Sequence, residues 1–401
     1  MSHLIKFLLL ATLFLTPLFS SVGDLGYEQS KVLVFLFLIS LTGILWLLGK
    51  PSFKLSQIQK AALIFIFILF ITSLTGVKPQ VSLLGESPYF QGFILYFELF
   101  LFSIIVSRLD IAPQSWFRFL MLSAVLVSAV AIKDAINLYF LNLAVPTYAG
   151  RVVSTFGQPN FYGGFVLLTL PLFYYSITWG KRQWIYALGF FVCILAIVLS
   201  YSKTAIFMTG GLIIFWLAKS LGRVWKFLIP LAALIVISAA IFAIKYQEGF
   251  LWEQLGKPNP YYSIINYSPE KRAYIWPYIL DLIGKSPILG YGLENLRGIF
   301  GTNIRIEEAK VAYAADLKNL IVDRSHNYLL DLLFFSGILG LGAWIVLVLA
   351  IFMKLKSKSD GRHKMVLLTS FLIYLIWIQF QNQSVVHLIY FWWLVGVVDR
   401  S

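Results

Sequence analysis

The sequence predicts an all-α polytopic membrane protein, and three observations carry that prediction. Hydrophobic residues make up 59% of the 401 residues and charged ones only 12%, with a mean hydropathy of +0.82, far outside the range of soluble domains. Apolar runs of roughly 17 to 25 residues, long enough to cross a bilayer, recur along the whole chain. The alternating pattern of barrel strands is absent, so the runs must satisfy their backbone groups as helices.

Taken in order, the runs fall near 4–22, 31–49, 60–76, 92–107, 115–142, 162–179, 183–200, 204–219, 225–244, 327–353, 364–380 and 384–398, which gives twelve spans. The first, within "MSHLIKFLLLATLFLTPLFSSVGD", has the early lysine of a signal peptide. It is longer than an h-region and lacks a small-x-small cleavage site, so it reads as span one. Basic residues set the orientation: 17 of the 32 Lys and Arg flank one alternate set of span ends, and only 5 lie in the opposite short loops. By the positive-inside rule both termini are expected in the cytoplasm.

The other 10 basic residues lie in one long polar segment, 245–326, which divides spans one to nine (1–244) from spans ten to twelve (327–401). With a cytoplasmic start, this segment is expected on the outer face. The net charge of +14 comes mainly from cytoplasmic flanks that can sit against anionic lipid, so no nucleic-acid partner is implied. The single Cys193 rules out a disulfide within the chain and a thiolate metal site. No metal is expected, because the outer loops show no clustered carboxylates with ligand spacing.

Chemistry gathers at the outer rim. In "PEKRAYIWPYILDLIGKSPILGYGLENL", Arg272 and Trp276 lie four apart on a short amphipathic helix, and Pro287, Gly290 and Gly292 form a turn. An arginine fork beside an indole can hold a phosphate and a lipid or sugar face together. The competing reading is a solvated arginine next to an interfacial tryptophan. In "DRSHNYLLDLL", His326 sits at the start of a span, Ser325 or Asn327 can cap the helix, and Asp331 lies inside the apolar run. A neutral imidazole there can accept a proton, although a lone interfacial histidine is often only structural. Intramembrane carboxylates are usually paired, and Arg324, Arg272 and Lys203 are possible partners for Asp331.

Two further stretches belong to the same rim. "GRVVSTFGQPNFYGGF", with Arg151, is too rich in Gly, Thr, Asn and Pro for a plain helix entry and reads as a shaped loop. "LSYSKTAIF" is a short hairpin that confines Lys203 between two apolar helices, where a charge needs an anionic partner such as Asp331 or a lipid phosphate. The polar run "QFQNQSVVH", Gln379 to His387, is expected to be an ordinary outer turn.

The order of these motifs resembles the O-antigen ligase and O-antigen polymerase superfamily over about residues 80–345, including the weaker "SLLGESPYFQGF", Ser82 to Phe93. The resemblance implies a metal-independent, inverting membrane glycosyltransferase of cell-envelope polysaccharide synthesis. Its donor is a glycan on undecaprenyl diphosphate, used at the outer face of the cytoplasmic membrane, and its acceptor a glycan, lipid or protein. Carried over by position, Arg272 is cast in pyrophosphate binding and His326 in acceptor activation, with Lys203 and Arg151 as further pyrophosphate contacts. Trp276, Asn327, Asp331 and Arg324 support them. Where the family commonly has Ser-Arg in the short hairpin, this chain has Ser202 and Lys203, which keeps the charge and loses the fork. No cofactor is implied. The alternative class is a lipid-linked oligosaccharide flippase, but transporters place their charges near the bilayer midplane in repeated halves, and no repeat is visible here. A scaffold for envelope assembly would need no acid-base group at all.

Overall fold

The computed structural model describes residues 1–51, 54–220, 269–303, 322–357 and 361–400. Among these lie fourteen α-helices: α1 (Ser2–Leu18), α2 (Tyr27–Leu48), α3 (Gln57–Thr75), α4 (Pro79–Leu84), α5 (Phe93–Arg108), α6 (Pro113–Tyr139), α7 (Pro159–Trp179), α8 (Gln183–Leu199), α9 (Lys203–Ser220), α10 (Pro269–Lys285), α11 (Leu296–Asn303), α12 (Tyr328–Ser357), α13 (Gly361–Trp377) and α14 (Val385–Arg400). The all-α expectation holds. The described β-structure is one small hairpin, β1 (Thr147–Tyr148) against β2 (Arg151–Val152). By length and apolarity α2, α3, α6, α7 and α12 can cross a membrane, and α1, α8, α9 and α13 contain shorter apolar helices. The expected span 225–244 and much of the long polar segment lie outside the described residues.

The chain forms two compact units, residues 1–123 with 272–401, and residues 124–271. In the first, α14 is the core. It is apolar on every face and buried nearly throughout, including Trp392 and Trp393, as expected of a helix with no polar stripe. It packs most closely on α5, while α12 packs on α3. The first approach is close because of Gly396, where a Cβ would lie 2.6 Å from the Ser103 carbonyl oxygen.

A break in α12 positions the site. At Gly337 the backbone leaves the helix (φ 59°, ψ −164°), which strips the preceding turn of its own hydrogen-bond donors. The turn of the Pro-x-x-Gly-x-Gly run supplies them instead: Tyr291 N–H donates to Phe334 O and Gly292 N–H to Phe335 O, both at 2.9 Å, while the turn's Pro287 O accepts from Ile338 N–H of the helix at 2.8 Å. Gly290 and Gly292 adopt positive φ, and at Gly290 a Cβ would stand 2.5 Å from Phe334 O. Non-helical backbone at the edge of an apolar helix is thus tolerated because another segment satisfies it. The sequence predicts the turn; its insertion into a helix break is the structural finding.

In the second unit α7 is the buried element, with α8 and α9 against it. Gly163 on α7 admits the Ser200–Ala205 corner, since a Cβ there would meet Ser200 Oγ at 2.9 Å and Ala205 Cβ at 3.4 Å.

Candidate active site

His326 stands at the mouth of α12. Asn327 is the N-cap: its Oδ1 accepts from Leu330 N–H at 3.1 Å, a bond that typically stabilises a helix start by about 1 kcal/mol. Ser325 holds the turn from the other side, as its Oγ accepts from Asn327 N–H at 3.0 Å and donates to Asn327 O at 2.7 Å. Between them His326 takes a left-handed backbone (φ 59°), which costs a non-glycine residue roughly 1 kcal/mol or more. Its Nδ1 is buried with no hydrogen-bond partner among the described residues.

Helix α10 brings Arg272 and Trp276 to this turn. The Trp276 indole N–H donates to Ser325 O at 2.9 Å, so the tryptophan grips the residue just before His326. Arg272 donates through Nη2 to Phe380 O at 2.7 Å, and no other bond of its guanidinium is formed among the described residues. The two side chains share a helix face, as their spacing predicts.

Electrostatics fix the protonation state of the histidine. Burial, and then the nearby Arg272 charge, lower the His326 pKa to about 4. The imidazole is therefore neutral at physiological pH and able to accept a proton. Burial also lowers the Arg272 pKa, yet an arginine stays charged at neutral pH. A neutral base beside a fixed cation with open donors is suited to deprotonating a hydroxyl while an anionic leaving group is neutralised.

Arg324 lies behind this pair. Its side chain is 7% exposed and that of its ion-pair partner Glu294 is 4% exposed. The guanidinium stacks over the rings of Tyr89 at 4.7 Å and Phe335 at 5.0 Å and reaches Gln91 Oε1 at 3.5 Å. Burial works against its charge, but Glu294, Asp331 and Tyr89 outweigh that and raise its pKa. Of the partners the sequence offered for Asp331, Arg324 supplies the field, while the hydrogen bond comes from Ser325 N–H at 2.7 Å. A cavity of about 20 Å³ next to these groups is bounded by Gln91, Glu294, Arg324, Asp331, Asn382 and Gln383. It has room for water and none for a sugar, so it belongs to the wall of the site.

Sequence reasoning missed two parts of this wall. The run Gln379 to His387 is more than an outer turn: Gln379 O accepts from Asn327 Nδ2 at 3.4 Å and Phe380 O from Arg272, and just before the run Ile378 O accepts from Tyr328 N–H at 2.9 Å. Glu294, in the same stretch as Arg272, Trp276 and the glycine turn but given no role there, turns out to be the buried counter-ion of Arg324. Five polar residues in the six positions Gln379 to Ser384, interrupted only by Phe380 and next to an apolar helix, were the available signal for the first. For Glu294 the carboxylate in "GYGLENL" was visible but its partner was not.

The structure brings together His326, Arg272, Trp276, Asn327, Asp331 and Arg324, all in the first unit. Arg151 and Lys203 belong to the second. There, Arg151 sits on β2 opposite Tyr148, and burial lowers its pKa against the opposing effect of Tyr148, Tyr162 and Tyr139. Its Nε, the Tyr162 hydroxyl and Gln158 Oε1 are buried without a hydrogen-bond partner among the described residues. Lys203 opens α9 behind Ser202, whose Oγ accepts from Ala205 N–H at 3.5 Å. No group of three or more His, Cys, Asp and Glu suited to a metal occurs among the described residues.

Comparison with known proteins agrees with the motifs. Residues 188–345 match the family model described as O-antigen ligase. The chain is also 24% identical over 371 residues to the ComP-specific O-oligosaccharyltransferase of Acinetobacter baylyi (strain ATCC 33305 / BD413 / ADP1), an alignment covering 88% of this chain and 63% of that protein. The resemblance to the O-antigen ligase superfamily read from the motifs is thereby borne out.

Proposed function

We propose that this chain, which carries an O-antigen ligase region, is a membrane glycosyltransferase that transfers or polymerises a glycan from an undecaprenyl-diphosphate-linked donor onto an acceptor hydroxyl. It works at the outer face of the cytoplasmic membrane, with both termini inside, independently of metal and with inversion at the anomeric carbon. The observation that carries the reading is the buried His326 imidazole, its Nδ1 without a hydrogen-bond partner among the described residues, at a turn gripped by Trp276 from the same helix that carries the Arg272 guanidinium. In the reaction the acceptor oxygen attacks the anomeric carbon, the bond to the pyrophosphate oxygen breaks, and the hydroxyl proton passes to His326. Arg272 meets the negative charge that grows on the departing pyrophosphate, an interaction stronger in the transition state than before it. One in-line displacement inverts the carbon. Arg151 and Lys203 are assigned to the donor pyrophosphate as further cations, supported by the buried Arg151 Nε that lacks a partner among the described residues.

The acceptor is a glycan, lipid or protein hydroxyl, and transfer of an oligosaccharide to oxygen is supported by the name of the relative, a ComP-specific O-oligosaccharyltransferase. The test is to supply purified protein with a polyprenyl-pyrophosphate oligosaccharide and one acceptor of each class, in EDTA. Glycosylated acceptor with free polyprenyl pyrophosphate supports the reading. Donor movement across liposomes with no transfer to any acceptor would replace it with a flippase.

A further inference from the structure

A catalytic imidazole is usually aimed by a carboxylate or carbonyl on its second nitrogen. His326 has no such partner among the described residues: its Nδ1 is buried and unbonded, and Asp331 takes its hydrogen bond from Ser325 N–H instead. With no carboxylate bond at Nδ1 to aim it, the ring depends on where the backbone at residue 326, held left-handed at φ 59°, places its Cα–Cβ bond. Such a conformation persists only where the flanking structure over-determines it.

The flanks do so. Asn327 is locked as the helix cap, Ser325 is held at its carbonyl by Trp276 and at its N–H by Asp331, and Arg324 is the last anchor upstream. That anchor is set from a distant part of the chain. Glu294 follows the glycine turn bound into the α12 break through Gly292 N–H and Phe335 O at 2.9 Å, and its carboxylate pairs with Arg324 between the Tyr89 and Phe335 rings. Phe335 thus touches both ends of the arrangement, and the carboxylate relates the start of α12 to its break.

From this geometry we infer that Glu294, through Arg324, is a positioning residue for His326. The inference rests on the reading of His326 as the base. Breaking the pair removes the one carboxylate bonded to the buried Arg324 guanidinium among the described residues, the turn at 324–326 relaxes, and the imidazole leaves its line to the acceptor hydroxyl. Displacements of about 1 Å cost on the order of a hundredfold in rate. Because neither Glu294 nor Arg324 is assigned to the donor, its binding is unaffected.

The experiment measures kcat and donor KM for Glu294→Gln and Arg324→Lys, with thermal unfolding of each and His326→Ala alongside. The expected result for each variant that folds is a kcat lower by about tenfold to a hundredfold at a donor KM within about twofold of wild type. Wild-type kcat in a folded Glu294→Gln protein would overturn the inference. So would a fall in kcat/KM carried by donor KM, which would put the pair in binding, or loss of fold in both variants, which would make it a stability element. A His326→Ala protein with full activity would instead sink the proposed base, and that outcome is read independently of the other two variants.

Discussion

The titration of His326 gives the most direct quantitative consequence of the site. Burial first and the Arg272 charge second bring its pKa from the ordinary 6.5 to about 4. At pH 5.5 an imidazole titrating at 6.5 is only about 10% neutral, whereas one titrating near 4 is about 97% neutral, a roughly tenfold difference in active base. A pH profile of kcat/KM for glycan transfer should therefore stay flat from neutrality down to about pH 5, with its acid limb near 4. Arg272→Gln should move that limb upward while leaving it below 6.5, since burial is the larger cause. Stability follows the same sign. The folded value lies below the unfolded one, so the contribution of His326 is fully present above about pH 6.5 and is lost as pH falls through about 4. A wild-type acid limb near 6.5 would refute the buried neutral base, because an acceptor hydroxyl does not titrate in this range.

Two further substitutions test other parts of the arrangement. Gly290→Ala places a Cβ 2.5 Å from Phe334 O at a left-handed position, so it should disrupt the two 2.9 Å bonds that close the α12 break. At about 1 kcal/mol per bond and roughly as much for the backbone, the loss is about 3 kcal/mol, and an unchanged unfolding midpoint in micelles would contradict the insertion. Arg272→Lys keeps the charge and loses the fork. Turnover should fall by at least about tenfold with the protein still folded, and equal initial rates would remove Arg272 from the mechanism.

Much of the fold was legible because, in lipid, length and apolarity leave the backbone little choice. The runs near 115–142 and 162–179 appear as α6 and α7 with ends shifted by only a few residues. The break in α12 was not legible: "FFSGILGLG" reads as continuous apolar helix, and only the docking of Tyr291 and Gly292 shows where the ladder is interrupted. Arg272, Trp276 and His326 stood out because arginine, indole and imidazole at a membrane rim carry chemistry on their own. Glu294 and the Gln379–Gln383 run did not, because their roles depend on partners 30 to 293 residues away, and hydrophobic periodicity is blind to such separations. The capping role of Asn327 was half read, since either Ser325 or Asn327 fits the rule and only the Leu330 bond decides.

The claim at the centre is that His326 is the base of a glycan transfer. It is tested most directly by comparing wild type and His326→Ala for donor binding and for transfer in the same detergent preparation. The proposed chemistry requires that the variant bind the polyprenyl-pyrophosphate donor as wild type does while transfer falls by about a hundredfold or more. Undiminished transfer by the variant would show that another group takes the proton, and loss of donor binding would move His326 to a phosphate-contact or structural role.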